Sequence, residues 1–141
     1  MQYNNKIIHI LLATVILSAF LSCRLAGGYG TIHTPPDHMR VDGNNIIEFG
    51  VSVPTGDCRK RLLSVYMHYR INDNPFSGVA MTLNKGDNRE VTYRSIINIS
   101  PASINKSAAN NNKLEYHLEF YLDGEKRDFP HAPEHISVPI K

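Results

Sequence analysis

Histidines and carboxylates gather in two short stretches of this chain. His131-Ala-Pro-Glu-His135 brings two imidazoles and the Glu134 carboxylate together, and His33 and His38 flank Pro35-Pro36. Imidazole and carboxylate are ligand types for a transition metal, but a site also needs a third ligand and partners that orient each ring. Six of the seven His lie after residue 22, so close pairs also arise from composition alone. His131, Glu134 and His135 are therefore metal candidates, set against the plainer reading of a solvated loop before the last strand. Cys58 precedes Arg59-Lys60-Arg61. Cations at that range draw a thiol's pKa down and favour the thiolate; a half-buried structural thiol is the alternative. The basic run itself suits anionic headgroups, each Lys or Arg contributing about 1 kcal/mol near such a surface. Its alternative is a solvated loop tip that keeps the strand ends soluble. The sequence has no phosphate-binding Gly loop, nucleophile elbow, His-Glu-x-x-His or paired-Cys knuckle. A non-enzymatic protein without a cofactor is expected, with a small metal-dependent enzyme the remotest reading.

The richest polar set is spread over two segments. Leu63, Val65, Met67, Tyr69 and Ile71 alternate with Ser64, Tyr66, His68 and Arg70. Leu114, Tyr116, Leu118, Phe120 and Leu122 alternate with Glu115, His117, Glu119 and Tyr121. Period-two alternation marks a strand with one buried face. If both strands bury their apolar sides in one core, Tyr66, His68, Arg70, Glu115, His117, Glu119 and Tyr121 share an outward face. Tyr and Arg are enriched at interfaces, and Tyr is also a platform for sugar rings. The face is thus a candidate binding surface for a protein partner, or alternatively for a glycan. The plain alternative is cross-strand Arg–Glu pairing that only stabilises the sheet.

The remaining pattern is also of strands. Residues 46–53 alternate and end at Pro54-Thr55-Gly56-Asp57; 78–83 form a shorter run; 90–99 are β-branched and aromatic and stop at Pro101. An Asn-rich loop covers 104–113, with a short helical turn expected around Ser107 to Asn110. Asp123-Gly124 is a hairpin signal, after which 125–129 and 135–140 return as a final strand, held to an edge by Pro139. Seven short strands and no long helix predict an all-β sandwich. The formal charge of +2, from 15 basic and 13 acidic side chains, is too balanced for a nucleic-acid binder, and two Cys cannot make a disulfide-dense scaffold.

Met1 to Lys6 is polar with one cation, and Ile7 to Leu21 is almost continuously apolar. This is the layout of a secretory signal peptide, and the run is short of the roughly 20 residues of a spanning helix; a retained membrane anchor is the alternative. Phe20-Leu21-Ser22-Cys23 resembles a bacterial lipobox, with Ser22 at the small position before the cut and Phe20 and Leu21 departing from the usual occupants. The resemblance implies cleavage before Cys23 and lipidation of Cys23. Arg24 lacks the acidic character associated with inner-membrane retention in enterobacterial lipoproteins, which implies the outer membrane. If Cys23 is not lipidated, pairing with Cys58 is the alternative. The expected organisation is a signal peptide over 1–22, a lipidated Cys and Gly-rich tether over 23–32, and a domain over 33–141.

The segments Val65-Tyr66-Met67-His68-Tyr69-Arg70, Val79-Ala80-Met81, Val91-Thr92-Tyr93-Arg94 and Leu114 to Gly124 resemble a fibronectin type III or immunoglobulin-like domain, without its core Trp or inter-sheet disulfide. The resemblance implies a seven-stranded sandwich. It places Tyr116 as the tyrosine-corner residue, whose hydroxyl would tie its strand to the preceding loop. It is nearly silent on function. Together these readings suggest an envelope lipoprotein whose domain binds an envelope or host protein.

Overall fold

The run Lys113–Leu122 alternates half-buried and buried side chains without a break. In chain order the elements are β1 (Gly30–Ile32), β2 (Asn44–Ser52), a four-residue helix α1 (Cys58–Arg61), β3 (Leu62–Ile71), β4 (Ser77–Ala80), β5 (Thr82–Gly86), β6 (Glu90–Asn98), a 3-10 turn (Pro101–Ser103), β7 (Lys113–Leu122), β8 (Glu125–Phe129) and β9 (Ile136–Pro139). The computed structural model describes residues 28–54, 56–106 and 111–141, apart from the side chain of Leu63. The expected signal segment, Cys23, the start of the tether and the turn expected at Ser107 to Asn110 lie outside the described residues.

All strand pairs within the two sheets are antiparallel. One sheet has the order β1-β2-β6-β5; the other runs β4-β3-β7-β8, with β9 also on β7. This is the immunoglobulin-like arrangement, and the expected sandwich is present. Three details differ from the seven-strand expectation. Residues 78–83 are two strands, because the chain changes sheet at Met81, which is 6% exposed and donates its amide to Val65 O at 2.9 Å. Residues 125–140 are also two strands, β8 and β9, lying end to end along one edge of β7. Pro130 and Pro133 interrupt the ladder between them, since neither can donate to it. Gly30–Ile32, assigned from sequence to the tether, is paired with Gly50–Ser52.

The core is one cluster drawn from both inner faces. Ile47, Phe49, Val51, Val91 and Ile97 come from one sheet; Val65, Met67, Leu114, Tyr116, Leu118, Phe120, Leu122 and Val138 come from the other. Phe49 lies at its centre, with its ring 5.3 Å from Phe120 and 5.7 Å from Phe129. Asp123 and Gly124 both take positive φ (55° and 80°), the geometry of a two-residue turn whose twist matches antiparallel strands. Truncating Phe49 leaves a void that both sheets must collapse into. Phe49→Ala should therefore cost about 3–5 kcal/mol of unfolding free energy, read from the urea midpoint at unchanged m-value. A loss below about 1 kcal/mol would place the packing centre elsewhere.

Candidate functional site

β3 and β7 are direct neighbours, and their register sets Tyr66 opposite Glu119, His68 opposite His117 and Arg70 opposite Glu115. Each pair occupies one row of the outer face, because directly opposed residues share a side of the sheet. Val65 and Met67 lie inward and buried, as do Leu114, Tyr116, Leu118 and Phe120. The seven residues expected to share an outward face do share it. β8 extends the rows, with Asp128 opposite Glu119 and Lys126 opposite Tyr121.

Both β7 carboxylates on these rows have a cation. Glu115 accepts from Arg70 at 2.6 Å and Lys113 at 2.8 Å. Glu119 meets Lys126 at 2.7 Å, and His68 Nε2 lies 3.5 Å from it without hydrogen-bond geometry. The Lys113 and Arg70 bonds hold the Glu115 carboxyl below its ordinary range, and the Lys126 bond does the same for Glu119. The expected Arg–Glu pairing is present, and the face carries little net field.

The rings form a continuous ladder. His68 and His117 stack with centroids 4.9 Å apart and planes 13° off parallel. His135, from the β8–β9 connection, meets His117 edge-on at 5.2 Å and stacks on Phe76 at 5.0 Å. The Arg70 guanidinium lies 4.8 Å over the Phe76 ring. Gly78 lies opposite His68 on β4; a Cβ there would approach His68 Nδ1 to 3.3 Å. Burial, with help from the neighbouring His68 and His135, lowers the His117 pKa. Neutral His117 thus stabilises the fold fully above the ordinary value near 6.5, and that contribution is lost as pH falls. An open concavity of about 490 Å³ is lined by Ser64, Tyr66, His68, Glu119 and Tyr121. A second, of about 200 Å³, lies between His117, Lys126 and the Pro130–His135 connection.

Other sequence candidates fare differently. His131, Glu134 and His135 do not converge, and among the described residues no three His, Cys, Asp or Glu side chains are gathered to hold a metal. His135 turns to the ring ladder while His131 lines a concavity with Tyr29 and Phe129. Arg59-Lys60-Arg61 is not a loop tip but helix α1, capped by the Asp57 side chain. Arg59 pairs with Asp57, and Arg61 with Asp123 at 2.7 Å, so two of the three cations are already matched by carboxylates.

Cys58 is fully buried, with Sγ donating to Val51 O at 3.5 Å. Its pKa is raised, not lowered as its basic neighbours suggested, because burial outweighs the Arg61 charge. Tyr116 also departs from expectation: its hydroxyl is 2.7 Å from His33 Nε2, in the segment before β2, instead of the preceding loop.

No protein-family model matches the chain, and no curated protein matches it. Among solved structures, a CARDB domain from Pyrococcus furiosus in complex with di-metal ions is similar with a TM-score of 0.42 and 11% identity, over 82% of this chain and 89% of that one.

The Cys58 geometry gives a direct test. In the native protein at pH 8, a thiol reagent such as DTNB should label Cys58 only at the rate of transient opening, and in denaturant at once. Immediate native labelling would contradict the burial and the raised pKa.

Proposed function

We propose that this chain is an exported, lipid-anchored envelope protein whose sandwich recruits a protein partner through the outer face of β3 and β7 and has no catalytic role. The observation that supports the reading most is the alignment of Tyr66, His68 and Arg70 with Glu119, His117 and Glu115 in three successive rows. Tyr66 is 39% exposed and the concavity beside it is open. Rigid rings on strands present contact area at small entropic cost, and neutralised charges lower the penalty of covering them. The lipobox-like Phe20-Leu21-Ser22-Cys23 and the glycines that follow support the anchor and the outer-membrane destination. An envelope or host protein is the partner on this reading, through contacts that need no nucleic acid.

A glycan is the second reading. It rests on the concavity that Tyr66 and Tyr121 line together with His68 and Glu119. Stacking on tyrosine with hydrogen bonds from a carboxylate and an imidazole suits a sugar ring.

The following measurements test the proposal. The intact mass of the protein extracted from membranes should correspond to a chain beginning at acylated Cys23; an unmodified start elsewhere overturns the anchor. A photo-crosslinking residue at Tyr66 should give one discrete protein adduct in the envelope of expressing cells, while the same residue at Ile96, exposed on the other sheet, gives none. Equal crosslinking from both positions, or retention on insoluble polysaccharide lost in Tyr66→Ala with no protein adduct, overturns the protein-partner reading. If the histidines take part, affinity changes between pH 5 and 8; a flat profile removes them from the contact.

A further inference from the structure

β1 hydrogen-bonds to β2 at the edge of one sheet, yet the side chains around it reach the other. The ring of Tyr29 packs edge-on against Phe120 at 5.8 Å, and that of His33 meets Tyr116 at 5.7 Å, Phe129 at 5.9 Å and Phe49 at 6.4 Å. The segment thus straps the flank between β2 and β8. His33 is its polar anchor. Nδ1 lies 2.5 Å from the Glu48 carbonyl oxygen, which can only accept, so Nδ1 carries the proton. Nε2 is then the acceptor for the Tyr116 hydroxyl at 2.7 Å. Tyr116 is fully buried. One neutral tautomer satisfies both contacts.

We propose that His33 is an acid-released latch: neutral, it pins the strap of residues 29–33 across the sandwich flank, and protonated, it lets the strap go while the two sheets stay folded. A second proton would go on Nε2, turning an acceptor into a donor that faces the Tyr116 O–H. That hydroxyl would have to turn its own hydrogen into an apolar core. The cation would also sit among Phe49, Tyr116 and Phe129, with burial the larger influence against it. The charged groups around the strap do not offset this. Glu48, Lys85 and Glu90 border His33 from β2, β5 and β6, and the Glu48 carboxylate is engaged by Asn84 at 3.1 Å. Arg127, Asp128, His131 and Glu134 border the Tyr29 end from β8 and the connection after it. β1 itself is held by only three residue pairs, so the strap can leave without breaking either sheet's central ladder.

The sign follows from linkage. A histidine whose folded pKa lies below its free value stabilises the docked strap above about pH 6.5, and that contribution is lost as pH falls through the folded value. Hydrogen exchange of the folded protein, corrected for the intrinsic pH dependence, reads this directly. Between pH 7.5 and pH 5, protection of residues 29–33 should be lost as His33 takes up its second proton, while β3 and β7 amides keep theirs. In His33→Gln the strap should lose this pH dependence, whether it stays docked or is loose at both values. The His33 ring, titrated by NMR, should have a midpoint below the ordinary imidazole value. Equal strap protection at both pH values, loss of protection by the strap and β7 together, persistence of the pH effect in His33→Gln, or an ordinary His33 midpoint each overturns the latch. His131, which borders the same strap, is separated by the same variant, since His131 is retained in His33→Gln.

Discussion

The register of β3 against β7 is the constraint on which the rest depends. Met67 faces Leu118 on the inner side and His68 faces His117 on the outer side, one residue further along. A slip by a single residue would exchange the two sets, driving imidazoles and carboxylates into the core and Leu118 and Phe120 into water. The cost of that exchange locks the pairing. The outer rows, the ion pairs of Glu115 and Glu119, and the docking of β8 and β9 along the far edge of β7 are consequences of this one alignment.

Those strands were legible because their periodicity is unbroken for nine residues or more, and a period of two with one apolar set admits few other structures. The facing of all seven outward residues followed from the same parity. The strand splits were less legible for physical reasons. Val79, Met81 and Leu83 alternate as one strand would, and only the burial of Met81 at the crossing from one sheet to the other divides them. The pairing of β1 is three residues long, shorter than any window in which periodicity speaks. Cys58 shows the limit of local charge reasoning. Three cations in sequence suggested an acidified thiol, but α1 turns them outward and Cys58 inward, so desolvation prevails. Phe76 carried no signal at all: it is a loop residue whose role depends on His135, fifty-nine positions away, stacking on it. Gly78 could have been noticed as the one small residue opposite a histidine, though only once the register of β4 was known.

The electrostatics of the molecule are local. Asp57, Glu115, Glu119 and Asp123 each hold a basic partner within 3.5 Å, and Asp87 instead accepts from the amides of Arg89 and Glu90 in the β5–β6 turn. Exposed pairs of this kind add little stability singly. Their effect is to finish turns and to leave a surface on which rings, and not a long-range field, distinguish one place from another.

The N- and C-terminal segments are knitted together at Met39. Its amide donates to Pro139 O at 2.8 Å, its carbonyl accepts from Lys141 at 2.9 Å, and its side chain is in the core. Seen mechanically, a pull on the chain ahead of β1 meets two fastenings in series. The first is the short β1 ladder with its His33 plug; the second is Met39, clasped by the last strand and the core. Yielding of the first alone would free about nine residues, whose fully extended span is roughly 30 Å at 3.3–3.6 Å each, before the load reached the second.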